Sequence, residues 1–248
     1  MVPITVEDEE IEEEESTRKT IISTGQSEID KKLGGGIPVG SLVLIEGESD
    51  AGKSVLCQQI IWGSLDSGFK VLLFTAENTV RSLITQMDSL GMDILDYVLM
   101  GRFKIFYMQL AELKQNITED CLQVILEQAK WHKDFDLIIV DSLTPIVAPT
   151  NAERALIYFE RCKALCDKGR TIINVTHTYA FDHDFLIRIR SVCDAHLRLL
   201  IEKVGDKLVK SLEVSKIRGA AQNTGNIITF DVEPEIGIKI MPISKAKA

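Results

Sequence analysis

Two textures of apolar residues alternate along the chain. "LVLIEG" (42–47), "KVLLFTAE" (70–77), "FKIFYM" (103–108), "FDLIIVDSLT" (135–144) and "RTIINVTH" (170–177) are short and almost continuously apolar, the pattern of strands buried on both faces. Between them lie "SVLCQQIIWGSLDSG" (54–68), "TVRSLITQMDSLG" (79–91), "TEDCLQVILEQAKWHK" (118–133) and "NAERALIYFERCKALCDKG" (151–169), where apolar residues return at helical spacing. Thr118 is placed to cap the third of these helices, and Gly68 and Gly91 to stop the first two. From about residue 192 only strand patterns follow: "DAHLRLLIEK", "KLVKSLEVSKIRG", "NIITFDVE" and "GIKIMPI". Five alternations of strand and helix predict an α/β fold with a mostly parallel central sheet, helices on both faces and an antiparallel C-terminal extension. No linker divides residues 19–248, so they read as a single domain.

Composition changes this picture in one place. The net charge is −9, but residues 7–15, "EDEEIEEEE", hold eight of the acidic groups, and the rest of the chain sums to −1. Residues 1–18 therefore read as a self-repelling solvated tail that aids solubility, with docking to a basic partner as the rival role. The remainder carries no strongly basic face, which argues against nucleic acid as a partner. No apolar run is long enough to span a membrane and no leader pattern opens the chain. The five cysteines follow no C-x-x-C pattern, which suits reduced thiols in a cytoplasm. Cys162 and Cys166, one helical turn apart, read as core residues rather than metal ligands.

The candidate chemistry begins at "GESDAGKS" (47–54), which fits G-x-x-x-x-G-K-[ST], the phosphate-binding (Walker A) loop, and stands between a strand and a helix as such a loop requires. Gly47 and Gly52 let successive N–H groups of Glu48, Ser49, Asp50 and Ala51 turn toward anionic oxygens, and the following helix offers its positive end. Lys53 would reach the outer phosphates, and the Ser54 hydroxyl would ligate Mg²⁺. Asp141, closing the run "LIIVD", is the carboxylate expected behind the metal. Ser142 follows it, so no glutamate stands there to polarise a water. Glu77, at the end of the neighbouring strand, is the candidate water-positioning base; serving as a helix N-terminal charge is its alternative role.

The segments "ISTGQSEIDKKLGGGIPVGSLVLIEGESDAGKS", "FTAENT", "LIIVDSLT", "NVTH" and "SKIRG" together resemble the RecA superfamily, in particular its KaiC-like branch, over residues 21 to about 240. Within that branch they look most like the accessory ATP-binding components of the archaellum, the archaeal swimming motor. The resemblance implies a RecA-like P-loop fold, ATP and Mg²⁺ as ligands, and a hexameric ring. It implies docking to the motor ATPase and to a membrane-tethered or cytoplasmic scaffold, so that the chain meets a membrane only through partners. It further implies that Lys216 and Arg218, two apart on one strand, reach a neighbouring subunit's γ-phosphate, with a pair of solvated strand charges as the plainer reading. His177 falls where the superfamily places a γ-phosphate sensor, though a strand-end histidine also serves structural ends. Clock-type relatives carry two adjacent glutamates where this chain has Glu77 and Asn78, and asparagine accepts no proton, so efficient hydrolysis is in doubt.

Three functions follow. ATP occupancy would act as an assembly switch; or the chain would be an active KaiC-type ATPase; or it would be a RecA-type DNA recombinase paralogue. An autophosphorylating version of the second needs an acceptor, and Ser16–Thr17 lies in the wrong region. The third needs basic loops after Asp141 and His177. There Arg188 and Arg190 are offset by Asp182, Asp184 and Asp194, leaving no positive field for a phosphate backbone.

Overall fold

The computed structural model describes residues 20–109, 118–148, 150–204, 207–221 and 227–241. The acidic residues 7–15 lie outside them. Strands β3 (Leu42–Gly47), β4 (Val71–Thr75), β5 (Phe103–Tyr107), β6 (Leu137–Asp141), β7 (Thr171–His177) and β8 (Ala195–Val204) form the parallel part of a nine-stranded sheet. Strands β9 (Lys207–Ile217), β10 (Ile227–Glu233) and β11 (Gly237–Met241) extend it antiparallel beyond β8. The full order is β11-β10-β9-β8-β3-β7-β6-β4-β5. A separate two-stranded pair, β1 (Ile21–Ile22) with β2 (Ile37–Pro38), precedes it.

Period-2 alternation decides which residues meet which helices. Val43, Ile45, Val71, Leu73, Leu137, Ile139, Ile173 and Val175 face one layer with helices α1 (Ser27–Lys32), α2 (Lys53–Asp66), α3 (Val80–Ser89) and α4 (Leu95–Leu99). Leu42, Leu44, Leu72, Phe74, Ile138, Val140 and Ile172 face the other, with α5 (Thr118–Trp131), α6 (Thr144–Val147), α7 (Ala152–Cys166) and α8 (His183–Val192). The described core of β9–β11 joins only the first layer, through Leu212, Val214, Ile228, Phe230 and Ile238, and the other face carries exposed residues such as Ser215 and Asp231. The paired faces explain why the early strands are continuously apolar and the late ones alternate.

Four helices escape the periodicity reading, the six-residue α1 among them. The segment after His177, expected to be loop, forms a short 3₁₀ turn (Thr178–Ala180) and then α8. Asp182 caps α8 by accepting from the Phe185 N–H at 2.8 Å, while Phe185, Leu186 and Ile189 give it a buried face. Asp182 and Asp184, which read as loop charges, are thus its N-terminus, while Asp194 follows its C-terminal end. Helices α4 and α6 span five and four residues, too short to show a period. Cys57, Cys162, Cys166 and Cys193 are buried and form no disulfide, and Cys121 is half-buried.

Candidate functional site

Parallel strands bring their C-terminal ends to one edge, and four of them meet there. Gly47 on β3 is level with His177 on β7, and Thr75 on β4 is level with Asp141 on β6. The turn from β3 into α2 opens a cleft of about 590 Å³ lined by Ser49, Asp50, Gly52, Lys53 and Ser54, with Glu77 and Asn78 after β4 and His177 after β7. The sequence-derived site residues from the loop, β4, β6 and β7 are therefore neighbours.

Both loop glycines are required by geometry. Gly52 has φ of +93° and caps α2 in the left-handed region, which side chains rarely adopt. A Cβ on Gly47 would lie 2.6 Å from the Leu199 carbonyl oxygen, closer than atoms can approach. Lys53 is buried, and its ammonium donates to the Glu48 carbonyl at 2.6 Å across the loop. Burial pulls its pKa down, against the opposing pull of Asp141 and Glu77.

Asp141 is 8 % exposed and its Oδ1 has no hydrogen-bond partner. Burial and the charge of Glu77 push its carboxyl up to about 6, despite a hydrogen bond with Ser54 and the nearby Lys53. A carboxylate short of partners beside a hydroxyl suits a divalent cation. Glu77 accepts from the Ser142 hydroxyl at 3.1 Å. Helix α3 is capped instead by Thr79, which accepts from Ser82 N, and its first turn holds no acid. Glu77 thus turns toward Asp141 and Ser142. The Asn78 side-chain Oδ1 accepts from the Ser82 hydroxyl at 3.3 Å.

His177 is tied to Thr144, whose hydroxyl accepts from the His177 N–H at 2.8 Å and lies 3.1 Å from Nδ1. Its ring stacks on Tyr179. Burial and the Lys53 charge lower its pKa, so the neutral ring is favoured. Lys216 and Arg218 sit elsewhere. Because β9 runs antiparallel to β8, their end of the strand lies at the opposite edge of the sheet. There Lys216 donates to the Arg190 carbonyl at 2.9 Å, and Arg218 lies 3.6 Å from Asp194.

The same reversal returns the start of β9 to the cleft, where Lys210 lines the wall; the sequence reading missed it, as it missed Gln86 of α3. A lysine in an alternating strand and a glutamine on an exposed helix carry no signal of their own. Glu46 was missed too, although a charge inside the apolar run "LVLIEG" marks it. It is fully buried one residue before the loop, held by Arg190 and by His196 at 3.2 Å, with Arg198 at 3.7 Å. Burial opposes its charge, but the close His196 ring and the hydrogen-bonded Arg190 win and hold the pKa below the ordinary glutamate value.

A family model described as "ATPase: KaiC" matches residues 22–245. The chain belongs to the KaiC ATPase family. Among curated relatives, the archaeal flagellar ATP-binding protein FlaH of Sulfolobus acidocaldarius is 32% identical over 92% of this chain and 100% of its own length. FlaH of Methanocaldococcus jannaschii is 30% identical over 88% of this chain and 94% of its own. A crystal structure of the flagellar accessory protein FlaH from Methanocaldococcus jannaschii superposes with a TM-score of 0.78 at 28% identity, covering 91% of this chain and all of that one. The α/β architecture expected from the strand and helix pattern, RecA-like as the resemblance implied, is therefore the family's own.

Proposed function

We propose that this KaiC-family chain is the ATP-responsive assembly component of an archaeal swimming motor, and that occupancy of the cleft, more than turnover, is its output. The observation that carries the reading is the buried, half-partnered Asp141 facing Lys53 and Ser54 behind a loop that tolerates no side chain at Gly47. The N–H groups of residues 48–52 and the Lys53 ammonium would hold the phosphates of ATP; Ser54 and Asp141 would hold Mg²⁺. The bound metal nucleotide would supply a phosphoanhydride and the charge that orders the cleft.

Glu77 and His177 stand at the cleft to sense or position, with Thr144 fixing the histidine ring. Lys216 and Arg218 lie far from their own loop, so they serve only a neighbour's nucleotide, and that role requires a ring, proposed as a hexamer. Subunits so ordered would dock on the motor ATPase and its scaffold in the cytoplasm. Among the described residues no helix is long and apolar enough to cross a membrane. A second reading, a working ATPase, is favoured by one contact: the Glu77–Ser142 hydrogen bond keeps a carboxylate beside Asp141.

Calorimetry with ATP and Mg²⁺, paired with phosphate release, separates the two. Lys53→Ala weakens binding about 10- to 100-fold, the worth of a charge-assisted hydrogen bond. The switch reading expects negligible release that Glu77→Gln leaves unchanged. Steady release that collapses in Glu77→Gln establishes the ATPase instead.

A further inference from the structure

The sheet edge opposite the nucleotide cleft carries a concentration of positive charge, although the chain without residues 7–15 is nearly neutral. Lys31 and Lys32 end α1 there, both exposed. Lys168 follows α7 and is exposed, and Arg218 keeps 57 % of its side chain in solvent. Lys216 completes the group, half-buried against the Arg190 carbonyl. Backbone contacts join these segments. The Ala221 N–H donates to the Gly34 carbonyl, and the Gly34 N–H donates to the Lys31 carbonyl. Two acids at this edge are already engaged: Asp194 by Lys163, Leu42 N–H and Arg218, and Asp167 by Lys163.

The acidic segment enters the fold at the same edge. The Thr20 carbonyl accepts from the Val39 N–H at 2.9 Å, and Ile21 pairs with Pro38. A Cβ on Gly219, the residue after Arg218, would be 3.7 Å from Pro38 Cγ. Thr20 lies five positions beyond Glu15, a reach of about 17 Å when extended. Arg18 and Lys19, between the body and the acids, supply two charges against eight. The family model begins at Ile22, after the segment.

We propose that residues 7–15 dock in cis on the basic patch formed by Lys31, Lys32, Lys168, Lys216 and Arg218. Carboxylates there compete for the two groups assigned to a neighbour's phosphates, so the segment restrains ring assembly until nucleotide and neighbour displace it. The docking stands on the charge pattern and the entry point; the restraint rests on the finger role given above to Lys216 and Arg218.

Carbodiimide cross-linking of the full chain, read by mass spectrometry, tests the docking. Acids 7–15 should couple to Lys31, Lys32, Lys168 and Lys216 at least tenfold more than to Lys104, Lys130 and Lys133, and half a molar salt should erase the preference. Even coupling across all lysines overturns the proposal. In an equal mixture of ¹⁵N-labelled and unlabelled protein, the linked pairs should be unmixed; mixed pairs overturn docking in cis. Lys31→Glu with Lys32→Glu, both on the exposed surface, should cut the link to Lys216 severalfold.

Replacing the eight acids by their amides should lower the protein concentration for half-assembly with ATP about fivefold to tenfold. An unmoved midpoint with the cross-links intact overturns the restraint. Adding Arg218→Ala to the amide variant examines the finger role separately: undiminished assembly refutes that role while leaving the docking result standing.

Discussion

Glu46→Gln isolates the buried charge that stands one residue before the loop 47–54. The carboxylate has no exposed surface and faces Arg190, His196 and Arg198. Removing one member of a fully buried ion pair costs about 3–5 kcal/mol because its partner stays charged and dry. Here the side chains of Arg190 and Arg198 are 30 % and 42 % exposed and recover water, which discounts that figure. His196, at 8 %, recovers almost none. Glutamine also keeps one carbonyl acceptor, so the expected loss is about 2–3 kcal/mol, equivalent to roughly 5–10 °C in Tm for a chain of this size. Urea unfolding at pH 7, with the slope held common, reads it directly.

The pH dependence supplies a second reading of the same variant. The Glu46 pKa is lowered in the fold below the ordinary 4.5. Its stabilisation is therefore complete above that value and fades as pH falls through the folded one. The gap between wild type and Glu46→Gln should narrow below pH 4.5. A loss under about 0.5 kcal/mol at pH 7, or a gap that persists undiminished under acid conditions, refutes the account; the former is the range of an unimportant surface change.

Gly63→Ala sets two effects against each other: helix propensity favours alanine by about 1 kcal/mol, but the new methyl would lie 2.2 Å from Gly25 N and 2.7 Å from the Ser23 carbonyl. Overpacking against backbone costs about 1–3 kcal/mol or more, so thermal unfolding should show net destabilisation. Asn151→Ala removes the acceptor of the Glu153 N–H at the start of α7 and should cost about 1 kcal/mol by urea titration. Burial pushes the thiols of Cys162 and Cys193 up to about 12, so at pH 8 a disulfide reagent should modify Cys121 first, with Cys162 and Cys193 reacting only as the chain unfolds.

By itself the sequence determined the alternation of layers. Five apolar strands separated by helices admit few topologies other than a doubly covered parallel sheet, and G-x-x-x-x-G-K-S between strand and helix marks the candidate site because loop, lysine and hydroxyl are contiguous. The placing of Asp141 and Glu77 together was legible for the same reason, since one ends a strand, the other follows one, and all parallel strands end at one edge. Short helices were not: α4 and α6 lack the length for a period, and Asp182 reveals itself as a cap only when α8 has a surface to pack on. What tertiary structure alone decided is which distant residues share a place. The reversal of β9 returns Lys210 to the cleft and carries Lys216 and Arg218 to the far edge, and no local pattern encodes the direction in which a strand is laid down. Glu46 finds Arg190, His196 and Arg198 across more than a hundred residues for the same reason: a charge is tolerable inside an apolar strand only when the fold brings its counter-charges, and that is a property of packing, not of order along the chain.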